Sequence, residues 1–303
     1  MGGRRVVVAG AFGADCVVEV EGLPGWGEDR EARAVRSTPG GKGLNQAVAA
    51  ARLGARVSAV GAVGDDAFGR AAVELLSAEG VDVDGIAVRA AATPLCVCFV
   101  GDSGKATYVS HTAPEVAVSP EMVRANAAAI GAADAVISTL EPRLPAVAEV
   151  IERGRKAGGL VVVQPAPMKP PRGEVAALPW QQVDLVVPNE SEARAMLGDR
   201  ASDLAPEELV KALSAQLGGP QVVITLAERG CIGLDGGTPL AFPAVEPTRV
   251  VDTTGASDAF TAALTVALTT GAPMRAAISA GLTAASHAVA HYGGPPSMPS
   301  GLR

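Results

Sequence analysis

The sequence is poor in aromatic residues, cysteine and histidine. Only 3% of its 303 residues are Phe, Trp or Tyr, and it contains 4 cysteines and 3 histidines. Cys96 and Cys98 are the only neighbouring pair, and four scattered thiols lack the spacing of a zinc site. We therefore interpret the cysteines as buried or half-buried thiols with no metal or redox duty.

Long apolar runs and basic clusters are also missing. No run reaches the roughly 20 residues that a membrane span needs, and the amino-terminal stretch lacks the pattern of a signal peptide. The net charge is −7 and no basic block stands out, which argues against nucleic acid or an anionic membrane as a partner. These features predict a cytoplasmic protein with a small-molecule substrate.

What the sequence does contain is a regular alternation of short apolar runs with helix-length stretches. The runs begin near residues 4, 56, 134, 159, 184 and 221 and end in turn residues, which is typical of strands buried on both faces. Several of the stretches between them open with Ser, Asp or Pro and close at Gly. The pattern predicts an α/β fold in one domain over 1–303, with a mostly parallel sheet between two helix layers.

Two segments, about 15–38 and 93–110, break this alternation. The second reads as a hairpin around Asp102, Ser103 and Gly104. Because both segments have strand character, we expect them to pair into a small second sheet that forms a lid over the site.

The segment PGGKGLNQAVAAARLG, residues 39–54, combines closely spaced glycines with the start of a helix. Glycines let the backbone approach a ligand, and a helix start presents free N–H groups. The segment lacks the GK[ST] of a Walker A loop, and Gln46 stands where a dinucleotide-binding pattern has its third glycine. Lys42 and Asn45 are one helical turn apart, so both can face the same ligand; a plain strand-to-helix turn with an exposed Lys42 is the alternative.

The segment VVDTTGASDAF, residues 250–260, gives the sharper signal. The amides of residues 255–258 precede a predicted helix, so several N–H donors and the positive end of the helix dipole converge on one point. This arrangement indicates an anion hole. Asp258 in the first turn is either a functional carboxylate or only a helix-stabilising one.

Two further strand ends carry polar residues at the edge where open α/β sheets bind ligands. Asn189 suits an N-cap, while Glu190 and Glu192 together exceed what a cap requires and would favour Mg²⁺ held through waters. Thr225 ends the next strand, and residues 227–230 form a turn where a nucleotide could lie.

With GGKGLNQAVAAARLG and DTTGASDAF, the chain resembles the ribokinase family, the PfkB-type carbohydrate and nucleoside kinases, nearly end to end. The resemblance implies a three-layer αβα core with a β-sheet lid. It also implies binding of ATP and Mg²⁺ and transfer of the γ-phosphate to a hydroxymethyl group of a sugar. A homodimer formed through the edges of the lid sheets is a further expectation.

The resemblance also assigns roles to individual positions. Asp258 matches the catalytic base, and the anion hole falls on Gly255, Ala256 and Ser257. Sugar-binding positions fall on Gly13, Asp15, Gly41, Lys42, Asn45 and Glu141. The nucleotide side falls on Asn189, Thr225 and Gly230. Glu192 belongs to the element that governs Mg²⁺, while Asp252, Thr254 and the turn 293–297 resemble the loops that bind a monovalent cation such as K⁺.

Four places depart from the family pattern, and one of them is HTAPE, residues 111–115, which replaces a Gly-Ala-Asn element after the lid. Ser257 replaces a glycine of the anion hole, which we expect to be tolerated if its φ is negative, and its hydroxyl can add a donor. Ala227 replaces a glycine in the nucleotide turn. Gly13 replaces a sugar-binding asparagine, and we expect the vacated space to weaken ribose binding and to admit a larger sugar.

Three functions remain open from the sequence: a kinase for ribose or a related pentose, a nucleoside kinase, and a non-catalytic sugar or nucleotide sensor. A nucleoside kinase must hold a base, often by aromatic stacking, and only Phe12 and Phe99 are suitable lid-side aromatics. The altered anion hole favours a sensor, but that reading leaves Asp258, Asn189 and Glu192 without a common purpose. The balance favours a free sugar.

Overall fold

The structure, a computed structural model, describes residues 3–101 and 106–301. In chain order its strands are β1 (Arg5–Ala9), β2 (Gly13–Glu19), β3 (Ala34–Gly40), β4 (Arg56–Gly64), β5 (Ile86–Arg89), β6 (Leu95–Val100), β7 (Ala106–His111), β8 (Ala135–Ser138), β9 (Leu160–Val163), β10 (Leu185–Val186), β11 (Gln221–Thr225), β12 (Cys231–Asp235) and β13 (Thr238–Phe242).

The helices surround the larger of two sheets. They are α1 (Lys42–Arg52), α2 (Ala67–Ala78), α3 (Pro120–Ala125), α4 (Ala127–Gly131), α5 (Leu144–Ala157), α6 (Arg172–Ala176), α7 (Glu190–Leu197), α8 (Pro206–Leu217), α9 (Ala256–Thr269) and α10 (Met274–Val289). Several begin and end at the residue types that the sequence analysis identified. Helix α5 has a proline in its first turn and ends at Gly158, which is left-handed with φ 77°.

Nine strands within the described ranges form the main sheet in the order β13-β12-β11-β10-β9-β8-β1-β4-β5. Strands β11 to β5 in this order are parallel, and β12 pairs antiparallel with β11 and with β13. The mostly parallel sheet predicted from the apolar runs is therefore confirmed.

A buried core lies on each face of this sheet, as alternation along a strand requires. Val6 and Val8 of β1 belong to one core, with residues of α1, α9 and α10. Val7 and Ala9 belong to the other, with residues of α5, α7 and α8. The sheet is thus the middle layer of three.

The smaller sheet joins the two segments that break the alternation. Its order is β3-β2-β6-β7, with β2 parallel to β6 and antiparallel to β3. Strands β6 and β7 are antiparallel. The hairpin expected around Asp102, Ser103 and Gly104 lies outside the described residues.

One of the helix-length stretches between the apolar runs forms two helices. The stretch 119–133 forms α3 and α4, separated by Asn126, whose φ of −100° and ψ of 19° interrupt the helix. Its side chain donates to the Met122 carbonyl oxygen at 2.9 Å, a local bond that competes with the helical pattern. No helix within the described ranges is long and apolar enough to cross a membrane.

Candidate active site

The carboxyl ends of β1, β8, β9, β10 and β11 meet at one edge of the main sheet, and α9 begins beside them. Gly255 is the N-cap of α9 with φ 82°, a conformation that glycine adopts without strain. The Ala256 N–H donates to the Thr253 carbonyl at a long 3.3 Å. Across the described ranges the Ser257 and Asp258 N–H groups have no backbone acceptor, so they remain available to an anion, as the sequence predicts.

Asp258 is the third residue of α9 and its side chain is buried. Its Oδ2 accepts a hydrogen bond from Asn45 Nδ2 at 2.9 Å. Its Oδ1 lies 3.8 Å from Lys42 Nζ and has no hydrogen-bond partner in the described part of the chain. Buried polar atoms normally have partners, so this oxygen is the place where a substrate hydroxyl can donate.

The start of α1 brings Lys42 and Asn45 to the same carboxylate, as their spacing predicts. Glycines allow this approach. Gly41 has φ 102°, and a Cβ on Gly43 would lie 2.8 Å from the Gly10 Cα. The backbone of α1 therefore packs directly against the end of β1.

Glu141 holds the first turn of α1. Its Oε1 accepts from the Lys42 N–H at 3.0 Å, and its Oε2 accepts from the Gly43 and Ala11 N–H groups at 3.1 and 3.0 Å. Burial raises the pKa of this carboxyl, while these amides oppose the rise. Glu141, which the family resemblance assigns to sugar binding, thus holds the backbone of β1 and α1 together.

Asp15 on β2 faces the same cluster from the smaller sheet. Burial, together with the nearby charges of Glu141 and Asp258, raises its pKa from 3.8 to about 6, and the Gly41 N–H donates to it. Its register partner on β6 is Cys96, a neighbour that the sequence analysis did not single out. Burial raises the pKa of Cys96 to about 11, so the thiol is neutral and unreactive.

The expectation of empty space beside Gly13 is wrong. A Cβ at this position would lie 2.2 Å from the Pro94 carbonyl oxygen. The backbone that leads into β6 fills the place where a side chain would begin, so Gly13 provides close strand packing and no additional room for a sugar.

Opposite charges converge on Lys42. Asp258 is the main cause of the raised pKa of Lys42, with contributions from Glu141, Glu192 and Asp15. The ammonium is therefore charged at neutral pH.

Asn189 and Glu192 form a complete capping box at the start of α7. Asn189 Oδ1 accepts from the Glu192 N–H at 2.8 Å, and the Asn189 N–H donates to Glu192 Oε2 at 2.8 Å. Burial raises the pKa of Glu192. Its second oxygen is the part left for a cation.

The pair of carboxylates expected for Mg²⁺ is reduced to one. Arg194 donates to Glu190 Oε1 at 2.7 Å, and Arg229 donates to Glu190 Oε2, so Glu190 is neutralised by arginines. Within the described ranges no three His, Cys, Asp or Glu side chains form a metal cluster. Because Mg²⁺ usually keeps its waters and takes one or two carboxylates plus phosphates, Glu192 alone fits a magnesium–nucleotide complex.

Residues 227–230, where the sequence predicts a nucleotide-binding turn, come just after β11. Thr225 pairs with Asn189 in an isolated bridge. Gly230 has φ 89°, and a Cβ there would lie 2.0 Å from the Phe242 carbonyl oxygen. Ala227 has φ 53°, and among the described residues it is the one non-glycine with a positive φ. The glycine that the resemblance leads us to expect at position 227 would relieve this strain.

The two loops that resemble a monovalent-cation site lie together. Asp252 Oδ1 accepts from the Thr254 N–H at 2.9 Å, and Asp252 Oδ2 accepts from the Gly293 N–H at 3.0 Å. The turn containing Ser297 follows Gly293, with the Ser297 side chain fully buried.

Ser257 does not have a positive φ, so it meets the condition set for it. Its Oγ accepts from Gln164 Nε2 at 2.9 Å, and Gln164 Oε1 accepts from Gln46 Nε2. The sequence analysis identified neither glutamine as a site residue, because Gln164 directly follows a buried strand and Gln46 lies in an alanine-rich helix.

Comparison with known proteins identifies the family of the chain. Residues 4–300 match the pfkB family carbohydrate kinase pattern. The ribokinase of Bacillus subtilis is 32% identical over 300 residues, which cover 98% of this chain and 97% of that protein. The ribokinase of Arabidopsis thaliana, solved with ribose and ATP, has a TM-score of 0.83 and 29% identity and covers 99% of this chain and 96% of that chain.

A fused relative matches over part of its length. The bifunctional ribokinase/ribose-5-phosphate isomerase A of Fructilactobacillus sanfranciscensis is 31% identical over 268 residues, and the chain spans about half, 48%, of that protein.

The fold and the site define a phosphotransferase that acts on an alcohol group. The chain belongs to the pfkB family of carbohydrate kinases, and its fold is the ribokinase-like α/β fold with a smaller second sheet. The family resemblance and the fold class predicted from the sequence are both confirmed.

Proposed function

We propose that the protein transfers the γ-phosphate of ATP to the hydroxymethyl group of a pentose such as D-ribose. The observation that carries this proposal is the buried Oδ1 of Asp258, which has no hydrogen-bond partner in the described part of the chain and lies beside the Ser257 and Asp258 N–H groups, which have no backbone acceptor there. An acceptor for a hydroxyl proton and donors for a phosphoryl oxygen are what phosphoryl transfer to an alcohol requires.

In this mechanism the sugar hydroxyl donates to Asp258 Oδ1 and its oxygen attacks the γ-phosphorus. The bond between the γ-phosphorus and the bridging oxygen of ADP breaks, and the proton ends on Asp258. A carboxylate at a helix N-terminus is a weak base. That is sufficient because the transition state is loose and the proton leaves late.

The sugar would be held by residues from both sheets. Asp15 and Asn45 offer hydrogen-bonding groups, and Lys42 supplies a charged ammonium next to Asp258. Gly41 keeps the backbone open to the ligand. Glu141 fixes the turn that carries these groups.

The nucleotide would lie across Thr225, Gly230 and Asn189. Glu192 would hold Mg²⁺ through a water, and the ion would offset the charge of the phosphates when bound. Asp252 and Thr254 would hold K⁺ close to the anion hole, since Asp252 joins the two loops that flank it.

The nucleoside alternative is less well supported. Phe12 is fully buried and packs against Gly61, where a Cβ would lie 2.4 Å from its ring. Phe99 lies on the face of β6 opposite Cys96, the register partner of Asp15. Neither aromatic side chain is therefore placed to stack on a base beside Asp15, and the ribokinase relatives also favour a free sugar.

We also propose that the chain works in the cytoplasm as a homodimer. Its four cysteines are free, which suits a reducing compartment. Strands β3 and β7 are the edges of the smaller sheet and expose Val35, Tyr108 and Val109, an apolar edge that a second copy would cover.

The test of function is ATP consumption by the purified protein with Mg²⁺ and K⁺ against a panel of pentoses, hexoses and nucleosides. We expect turnover with D-ribose or a related pentose. Turnover only with nucleosides would favour the alternative, and no turnover with any acceptor would favour a sensor.

A further inference from the structure

Three polar side chains link the sugar side of the site to its phosphate side. Gln46 on α1 is 0% exposed and Gln164, directly after β9, is 1% exposed. Gln46 Nε2 donates to Gln164 Oε1, and Gln164 Nε2 donates at 2.9 Å to Ser257 Oγ in the first turn of α9. This glutamine relay thus ends inside the anion hole.

The relay has a direction. A carboxamide has one accepting and one donating end, and the accepting end of Gln164 is occupied by Gln46. The donating end faces Ser257, whose Oγ therefore acts as an acceptor. The hydroxyl hydrogen of Ser257 must point elsewhere, and it has no acceptor among the residues the structure describes.

A purely structural link would not need this arrangement. Gln46 Oε1 is buried and has no partner in the described part of the chain. Leaving a buried acceptor unpaired is unfavourable, and an apolar pair of the same shape would avoid it. The relay therefore maintains a polar contact at Ser257 at the expense of stability.

We propose that Gln164 is a positioning residue that holds the Ser257 hydroxyl as an additional donor to the transferring phosphoryl group, with Gln46 fixing the orientation of Gln164. This inference rests on the proposed kinase function. The serine that departs from the family pattern then adds a hydrogen bond beside the free N–H groups of Ser257 and Asp258, and does not impair the anion hole.

A double-mutant cycle tests the relay. Ser257→Ala should lower kcat roughly 10- to 100-fold, the loss expected for one hydrogen bond to a charged group, with KM for ATP and sugar nearly unchanged. Gln164→Met, which keeps volume but cannot donate, should lower kcat by a similar or smaller factor. The double variant should be no slower than Ser257→Ala, because both changes remove the same contact.

Thr265→Val is the matched control. Thr265 is also a buried hydroxyl on α9, and it donates to the Thr261 carbonyl at 2.7 Å. This variant should retain kcat, which separates loss of the donor at position 257 from loss of any helix hydroxyl. The inference would be overturned if the fold-decreases in kcat of Gln164→Met and Ser257→Ala multiply in the double variant. It would also be overturned if Ser257→Ala leaves kcat unchanged.

A binding measurement keeps this result separate from the fate of the proposed function. We expect calorimetry to show that Ser257→Ala and Gln164→Met weaken ADP with aluminium fluoride, a mimic of the transferring phosphoryl group, roughly tenfold or more, and leave ADP alone unchanged. Equal affinities for the fluoride complex in wild type and variants would overturn the relay even in an active kinase. Wild-type protein that phosphorylates no sugar would refute the function instead, and the binding results would still decide the relay.

Discussion

At the scale of single residues, two positions at the site are unfavourable for the residue they hold: a buried carboxyl group at Asp15 and a positive φ at Ala227. Asp15 is the best defined of these, because burial and two neighbouring carboxylates raise its pKa to about 6. The folded protein binds this proton more tightly than the unfolded chain does. The contribution of Asp15 to the free energy of unfolding is therefore complete below the unfolded pKa of 3.8, and it is lost as the pH rises from there through about 6.

We predict that Asp15→Asn removes this pH dependence. The free energy of unfolding of the variant, relative to wild type, should increase by about 1 kcal/mol between pH 5 and pH 7.5. Denaturant titrations at both pH values measure it. The exposed Asp65, whose side chain is 72% exposed, provides the control Asp65→Asn. A difference that stays constant with pH for Asp15→Asn would contradict the assigned environment.

Ala227 carries backbone strain, since its φ is 53°. Left-handed backbone costs a non-glycine residue about 1–2 kcal/mol, and glycine loses part of that gain through a more flexible unfolded state. We therefore predict that Ala227→Gly stabilises the protein by about 0.5–1 kcal/mol in thermal or chemical unfolding. Glu228→Gly in the same turn, at a residue without positive φ, should destabilise it. Destabilisation by both would show that Ala227 is not strained.

At the scale of secondary-structure elements, the active site depends on how α1 begins. Helix α1 has no side-chain cap of its own, and the Glu141 carboxylate, 98 positions further along the chain from Gly43, takes its first N–H groups. Glu141 thus fixes the position of α1, and with it the position of Lys42 and Asn45 beside Asp258.

We predict that Glu141→Ala lowers the free energy of unfolding by about 2–3 kcal/mol, since bonds to a charged acceptor are lost and their donors stay buried. The Lys42 and Gly43 amides should also exchange hydrogen faster. Glu121→Ala in the exposed first turn of α3 should change stability far less, because the Glu121 side chain is 74% exposed. Unchanged exchange at Lys42 and Gly43 would show that α1 is anchored in another way.

The sequence predicts where strands and helices lie better than it predicts the side-chain contacts that interrupt or hold them. Apolar runs identify six of the seven parallel strands of the main sheet in the described ranges, because buried parallel strands are apolar on both faces. They miss β5, the partly exposed edge strand. Asn126 divides a predicted helix through a bond to Met122, which periodicity cannot reveal.

Site residues show the same limit. The free N–H groups of the GASD turn were predictable because they depend on the backbone alone. The spacing of Lys42 and Asn45 predicted that both can face one ligand, whereas their common contact with Asp258 is seen only in the structure. The lack of space beside Gly13 was not predictable, because it is filled by the Pro94 carbonyl group, which lies just before β6 and 81 positions away in the sequence. Glu190 likewise looked free until Arg229, 39 positions away, was brought beside it.

At the scale of the whole molecule, the smaller sheet has two exposed edges. Val109 on β7 is 63% exposed, and such an edge is open to pairing. We predict that the protein sediments at about twice its 30.3 kDa chain mass, and that Val109→Arg gives a folded monomer.

Val88→Arg is the matched control for that experiment. Val88 is 56% exposed on β5, the edge strand of the main sheet, so this variant should remain dimeric. A wild-type monomer, or dissociation caused by Val88→Arg but not by Val109→Arg, would remove the smaller sheet from the interface.

The whole account depends on Asp258 accepting the proton of the sugar hydroxyl. The most direct measurement is single-turnover phosphoryl transfer from ATP to D-ribose by Asp258→Asn, with ligand affinities measured in parallel and Asp235→Asn, at a 60% exposed side chain, as the control. We predict a rate about 10²- to 10⁴-fold below wild type, nearly unchanged affinities for ATP and sugar, and normal activity of the control. Transfer at a near-normal rate by Asp258→Asn would contradict the account.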